Sequence, residues 1–260
     1  MRPIWTGAIG FGLVSIPVKL YSAVESSTLD LDMLDKKDHS NIQFKRVNAK
    51  TGKEVPYENI VKGYKMPNDE YVVLDEKDFE RASARKTKTI EISDFVEEGE
   101  IESLYYETPY YLEPDRSGAR AYALLREALL KTKKAGVATF VMRNKESLAI
   151  LKAHEDVLIL NRIRFKEEIR PVSDLSLPTR KGVKPGELKM AVSLIGQLSG
   201  PFDVKRYKDT YSAQLLKYIK AKARGVKKEV PVMKVVRGKK TRDLMDQLKA
   251  SLTVKRKKAS

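Results

Sequence analysis

Cysteine is absent from this 260-residue chain, and histidine occurs only twice. Without cysteine there is no disulfide scaffold, no thiolate zinc site and no thiol nucleophile, a usage that suits a reducing cytoplasm. His39 and His154 sit in polar turn contexts with no second ligand at metal spacing, so they read as surface groups and not as metal ligands or bases. Long apolar runs are also missing. No stretch approaches the length of a membrane span, and the apolar start, MRPIWTGAIGFGLVSIPVKLYSA, alternates and contains Pro17 and three glycines, unlike the apolar block of a signal peptide. The Gly-Lys at Gly238 and Lys239 has Met233 where a phosphate-binding loop needs its first glycine, and the Lys-x-Asp-Gly of a nucleotidyl-transferring ligase does not occur. Acidic pairs such as Asp30 with Asp32 and Glu97 with Glu98 lack the spaced partners of a magnesium site and read as solvated acids. The expectation is a binding protein with no catalytic residue, no metal site and no cofactor.

Positive charge is what the chain has in excess. Fifty-one Lys and Arg against 35 Asp and Glu leave a net charge of +16, which calls for a polyanionic partner or a basic membrane surface. From Lys217 to Ser260 sixteen Lys or Arg face three acids, so +13 of the excess lies in the last 44 residues.

A second basic segment, Ile42 to Lys65 (IQFKRVNAKTGKEVPYENIVKGYK), reads as an extended hairpin. Ile42, Phe44 and Val47 are β-prone, Asn48 to Gly52 supplies turn chemistry, and Val55 with Tyr57 resumes the extended pattern. Lys45, Arg46, Lys50, Lys53, Lys62 and Lys65 stand against Glu54 and Glu58. With its polar flanks the arm covers about residues 22–70, and a twenty-residue extended limb reaches roughly 65 Å, more than the roughly 34 Å of one duplex turn. Such an arm can wrap a nucleic acid; a solvated surface hairpin fits the same composition.

The rest of the chain suggests an order of elements. Val14, Ile16, Val18 and Leu20 alternate with polar neighbours, and Pro17 points to an edge strand. Tyr71–Leu74 reads as a strand, 75–85 as a short helix, and Thr87–Ile92 as a strand ended by Ser93 and Asp94. The tyrosines of YYETPYYLEPDR suit either base stacking or core packing. Arg120 to Lys134 is a helix with Ala121, Leu124, Leu125, Ala128 and Leu129 on one side, capped at Ala135-Gly136. Strands at 137–142, 147–152 and 157–165 form an antiparallel meander; in the third, Arg162 and Arg164 share a face open to solvent, an acidic neighbour or a phosphate. Two helices follow, one with the stripe Leu188, Ala191, Ile195 and Leu198, the other from Tyr211 to Arg224 with Leu215, Tyr218 and Ile219 inward. A linker over 225–240, a last short helix over 241–252 lining up Leu244, Met245, Leu248 and Leu252, and the basic run Lys255 to Lys258 complete the chain. The fold class expected is α+β: an antiparallel β-barrel-like core with a long extended bridging arm in residues 1–180, and a helical, basic C-terminal region in 181–260.

Several segments, in order, resemble the bacterial Ku proteins: Arg2-Pro-Ile-Trp-Thr-Gly, Phe11-Gly-Leu-Val-Ser-Ile-Pro-Val-Lys-Leu-Tyr21, Phe44-Lys-Arg-Val47, Val61-Lys-Gly-Tyr64, Tyr71-Val-Val-Leu74, Tyr110-Tyr-Leu-Glu-Pro114 and Ala121-Tyr-Ala-Leu-Leu-Arg-Glu-Ala128. The resemblance implies a homodimeric ring around double-stranded DNA ends, recruitment of the bacterial end-joining DNA ligase by the C-terminal region, no catalysis, no membrane, and a cytoplasmic, nucleoid-associated setting. One departure is Asn48-Ala49-Lys50-Thr51-Gly52, where many relatives carry Cys-x-x-Cys-Gly. The candidate DNA contacts are Lys45, Arg46, Lys50, Lys53, Lys62 and Lys65 in the arm, with Arg162 and Arg164. The candidate ligase contacts are Tyr211, Leu215, Tyr218, Ile219, Leu244 and Leu248. A sequence-neutral nucleoid-packing protein and an end-processing nuclease are the alternatives.

Overall fold

The alternating start of the chain folds as a hairpin of β1 (Trp5–Phe11) and β2 (Val14–Ser22), turning at Gly12, whose φ of 57° suits glycine. The computed structural model describes residues 1–82, 88–143, 145–179 and 182–225. These fall into two compact units: Met1–Ser26 with Leu31–Pro171, and Ser27–Asp30 with the chain from Val172.

In the first unit the later elements are β3 (Lys62–Lys65), β4 (Tyr71–Leu74), α1 (Glu76–Ala82), β5 (Thr89–Glu97), β6 (Tyr106–Pro114), α2 (Ala119–Thr132), β7 (Lys134–Met142), β8 (Lys145–His154) and β9 (Val157–Ile163). Seven strands close a barrel in the order β1-β2-β6-β9-β8-β7-β5. The meander β7-β8-β9 is antiparallel as its short polar turns require. Closure comes from a parallel pairing of β1 with β5 through Ala8↔Thr89, Ile9↔Ile90 and Gly10↔Glu91. Parallel neighbours need a long crossover, and this one carries the basic arm. At the closing seam a Cβ on Gly7 would lie 2.1 Å from the Lys88 carbonyl oxygen and 2.2 Å from the Trp5 ring, so only glycine fits there.

Period-2 alternation turns Ile16, Val18 and Leu20 into the barrel, where they meet Ile9, Ile90, Leu112, Phe140, Leu151, Leu158 and Leu160, none more than 2% exposed. Each such side chain contributes about 1.5–3 kcal/mol through burial. Helix α2 adds Tyr122, Leu125 and Leu129 to the same core. Its buried stripe therefore differs from the expected one, and Leu124 faces solvent. The Tyr122 hydroxyl donates to the Leu112 carbonyl and accepts the Leu158 N–H, each at 2.7 Å, tying the helix to the pair where β6 faces β9. A smaller cluster of Ala135, Ile150 and Ile163 packs with Ile101, Tyr105 and Tyr106. Tyr110 is buried in the main core. Tyr105, Tyr106 and Tyr110 of the tyrosine-rich segment thus serve core packing, while Tyr111 is half-buried outside both clusters.

Four local expectations are corrected. Strand β2 is not at an edge, because it lies between β1 and β6. Pro17 is accommodated because its backbone faces β6 rather than β1, as the Asp115 N–H donating to its carbonyl at 3.0 Å and the Ala8 N–H turning to Lys88 show. The β2–β6 ladder begins only at Val18↔Pro114, so the N–H that proline lacks falls past the ladder's end. Strand β5 does not end at Ser93-Asp94; the register shifts between Ile92 and Asp94, and pairing with β7 runs on to Glu97↔Lys134. Helix α2 stops earlier, at Lys133 with φ 56°, and Ala135-Gly136 belongs to β7, where a Cβ on Gly136 would sit 3.2 Å from Ile92. In β9, Leu158 and Leu160 face the core. The arginine-bearing phase of that strand is therefore the barrel-facing one, and Arg162 continues it toward the strand end.

In the second unit, α3 (Pro185–Leu198) starts with proline in its first turn, and α4 (Thr210–Ala223) is capped by Asp209, whose side chain accepts the Ser212 N–H at 3.0 Å. Neither helix contains a buried residue. In α3, Ala191 is half-buried while Leu188, Ile195 and Leu198 are exposed. In α4, Leu215 is half-buried and Tyr211, Tyr218 and Ile219 are exposed, so the stripe read as inward stays largely open. The expected helix over 241–252 with Leu244 and Leu248, the basic run Lys255 to Lys258 and all but the first residue of the 225–240 linker lie outside the described residues.

Candidate nucleic-acid interface

The crossover between β2 and β5 leaves the barrel at Ser22, and no side chain from there to Val73 is buried. Most of its large apolar side chains, from Val24 to Val73, stay exposed and form no core, and its backbone is ordered instead by tight turns. The single hairpin expected over 42–65 is two hairpins. The first turns at Asn48, whose side-chain oxygen accepts the N–H groups of Lys50 and Thr51 at 2.9 and 3.1 Å. Gly52 there has a φ of 68°, and Val47 faces Glu54. Pro56, which has no N–H to give a ladder, and the 3-10 turn Tyr57–Asn59 end that pairing. Lys62–Lys65 then pairs forward, with Tyr71–Leu74, around a turn in which Asp69 has a φ of 66°. The two strands are tied by main-chain bonds, and every β3 residue is exposed.

The arm cations consequently fall into two groups. Lys45, Arg46, Lys50 and Lys53 lie on the first hairpin, and Lys62 and Lys65 on the second. Lys45 pairs with Glu54 at 2.7 Å, and Arg46 lies over the Tyr57 ring, 5.1 Å from its centroid. Lys62 lies 4.9 Å from the Phe79 ring centroid, and Lys65 pairs with Asp69 one turn of chain later. Lys50 and Lys53, at the tip, have no ion-pair partner among the described residues. These two are the cations that a polyanion meets at the smallest desolvation and unpairing cost.

Arg162 and Arg164 are elsewhere, on the barrel. Arg162 donates from Nε and Nη2 to the two carboxylate oxygens of Glu107 at 2.9 and 2.7 Å. This fork holds β9 to β6, and the hydrogen bond to Glu107 raises the guanidinium pKa above its ordinary value against the opposing effect of burial. Arg164 donates to the Tyr106 carbonyl at 2.8 Å. Of the roles open to Arg162 in the sequence, the acidic neighbour is the one it has. Both arginines border a cavity of about 110 Å³ with Lys145 and Glu168. The Glu168 carboxyl is held below its usual range first by the Phe165 N–H and then by Lys145. Charges there balance, so this cavity is a knot of internal ion pairs and not an open anion site.

Two aromatics on the first hairpin were read in the sequence only as part of its extended pattern and not as site residues. Phe44 and Tyr57 stand on either side of the turn, and their alternation with Arg46 and Val55 about Asn48–Lys53 is the signal that finds them. Among the described residues no group of three or more His, Asp or Glu could hold a metal ion, and no helix is long and apolar enough to cross a membrane.

Comparison with known proteins is decisive about kinship. Residues 10–190 match the family described as Ku, the Ku70/Ku80 beta-barrel domain. A non-homologous end joining protein Ku from Cupriavidus necator is 44% identical over 226 residues, covering 85% of this chain and 67% of that protein. One from Opitutus terrae is 44% identical over 223 residues, with 85% and 80% covered, and one from Archaeoglobus fulgidus is 37% identical over 255 residues, with 97% and 98% covered. With the closed barrel and the match running from β1 into α3, the chain belongs to the Ku family.

Proposed function

We propose that this protein binds double-stranded DNA ends without sequence preference, as a ring-shaped homodimer, in the repair of double-strand breaks by non-homologous end joining, and that it catalyses no reaction. The observation that carries the reading is the arm: a basic excursion with no buried side chain from Ser22 to Val73, set into the parallel crossover of a barrel whose relatives are named for end joining. Lysines and arginines on phosphates supply affinity through counterion release and carry no base information. Lys45, Arg46, Lys50, Lys53, Lys62 and Lys65 are the cations assigned to that role, with Arg162 and Arg164 secondary because both are already engaged within the barrel. One arm covers one side of a duplex, and two arms related by a two-fold axis enclose it. A closed ring is threaded only at a terminus, so the preference for breaks is topological.

Recruitment of an ATP-dependent end-joining ligase is assigned to the C-terminal region. Support comes from α4, where Tyr211, Tyr218 and Ile219 remain exposed, with Leu215 half-buried, beside Lys217, Lys220 and Lys222. An apolar stripe flanked by charge is the form of a helix that docks in a partner's groove. Leu244 and Leu248, assigned to the same partner, lie outside the described residues. The reading places the protein in the cytoplasm, on the nucleoid.

The test is retention on linear and covalently closed circular DNA of the same sequence, at one salt concentration, with and without the ligase. End loading gives retention on the linear form alone and stimulated joining. Equal retention on both forms identifies a DNA-packing protein, and loss of end label in magnesium identifies a nuclease.

A further inference from the structure

The first arm hairpin has two unlike faces. Its register is set by Val47 opposite Glu54, by the Val55 N–H donating to the Arg46 carbonyl at 2.8 Å, and by the Asn48 N–H donating to the Lys53 carbonyl at 2.9 Å. Side chains alternate across such a ladder. Lys45, Val47 and Glu54 therefore share one face, which the Lys45–Glu54 ion pair neutralises. The other face carries Arg46, Lys53 and Val55 and no acid; Phe44 continues its phase along the first strand, and Tyr57, just past the end of the pairing, joins it beneath the Arg46 guanidinium. Phe44 is 80% exposed and Tyr57 is 77% exposed, even with the Arg46 guanidinium 5.1 Å from the Tyr57 centroid.

Two bare rings at the base of this hairpin, with a guanidinium and an ammonium nearer its turn, suit a ligand that is planar, aromatic and anionic at once. A nucleotide has that chemistry: its base stacks on a ring or on a guanidinium plane, and its phosphate meets the cations. In an intact duplex the base faces are already stacked on one another, so the ligand must be unpaired. The same face of a second copy is a poorer occupant, because two faces that each carry Arg46 and Lys53 and no acid repel one another.

We propose that this face is a stacking platform for the unpaired nucleotides of a DNA end, seating a single-stranded overhang on Phe44 and Tyr57 while Arg46, Lys50 and Lys53 hold its phosphates. The inference rests on the DNA-end reading above and adds to it a means of distinguishing resected ends from blunt ones. The two lysines at the tip suit the role, since both lack an ion-pair partner among the described residues.

The experiment uses the full chain and three labelled probes: a blunt duplex, the same duplex with an eight-nucleotide thymidine overhang, and the same duplex with an abasic overhang of equal length. The abasic probe keeps every phosphate and removes every base. The expected result is about tenfold tighter binding to the thymidine overhang than to the abasic one, the scale of stacking one base on one aromatic side chain. The double variant Phe44→Leu with Tyr57→Leu should bind the two overhang probes alike. Because both side chains are exposed, the substitutions leave the hairpin's main-chain bonds and the barrel core untouched. Binding of the blunt duplex together with equal affinity for both overhangs overturns the platform and leaves the end-binding reading standing. A base preference that survives the double variant also overturns it, as does a double variant that sediments as a monomer where the parent is a dimer, since the rings then belong to a protein interface. Failure of the parent to bind even the blunt duplex removes the end-binding reading, and the platform with it.

Discussion

Replacing Lys50 and Lys53 together by alanine tests whether the arm meets DNA, because these are the tip cations without an ion-pair partner among the described residues. Each neutralised phosphate contributes about 0.9 to the slope of log K against log salt, so a dimer making about eight contacts shows a slope of about −7. Two lysines on each of two arms are four contacts, and their removal should bring the slope to about −3.6. Between 50 and 200 mM salt the parent then loses affinity about 10⁴-fold and the variant about 10²-fold. The control is Lys134→Gln with Glu97→Gln, which deletes an exposed ion pair of no net charge on the barrel, outside the arm, and should move the slope by less than about one contact. All four side chains are exposed, so stability should stay within about 0.5 kcal/mol of the parent. Fluorescence anisotropy of a labelled blunt duplex over a salt series gives the slopes directly. A slope unchanged in the Lys50/Lys53 variant refutes the reasoning: the hairpin is then a solvated surface element, and the phosphate contacts lie elsewhere.

Tyr122→Phe keeps the ring in the core but strips the hydroxyl that serves the Leu112 carbonyl and the Leu158 N–H, leaving buried backbone groups short of partners at a cost of about 1–3 kcal/mol. At about 2–4 °C per kcal/mol for a chain of this size, the melting temperature should fall by roughly 2–12 °C, with loss of hydrogen-exchange protection at the Leu158 amide; an unmoved transition and a protected amide would show that the bridge contributes nothing. For the second unit, hydrogen bonds from Ser212 hold the Asp209 carboxyl below its usual range. A depressed folded pKa means that its contribution is complete above the unfolded value near 3.8 and is lost as pH falls through the lower folded value. The first turn of α4 should therefore fray in acid, seen as upfield Cα shifts at Thr210 to Ser212, and Asp209→Asn should remove that pH response; shifts that track pH equally in both proteins would contradict it.

What could be read locally was read from local physics. Alternation placed Ile16, Val18 and Leu20 inward, and short polar turns announced the β7-β8-β9 meander, because both signals are carried by residues within a few positions of one another. The basic arm and its Asn48 turn were equally legible, since charge and turn chemistry need no distant partner. What depends on residues far apart in the chain was not. Nothing near Pro17 reveals that Ala8 directs its N–H to Lys88, so the strand looked like an edge until the barrel closed on both sides of it. Nothing near Arg162 names Glu107, which reaches it only because β6 lies beside β9, and so a side chain free to meet phosphate in sequence is a clasp in the fold. The division of the arm into two hairpins follows the same rule, because Lys62–Lys65 had two runs of residues it could pair with. Composition and periodicity determined which segments extend, which turn and which carry charge. Partner choice across the closed barrel decided which cations remain free, because a hydrogen-bond or ion-pair partner is a property of three-dimensional neighbours and leaves no periodic trace in the chain.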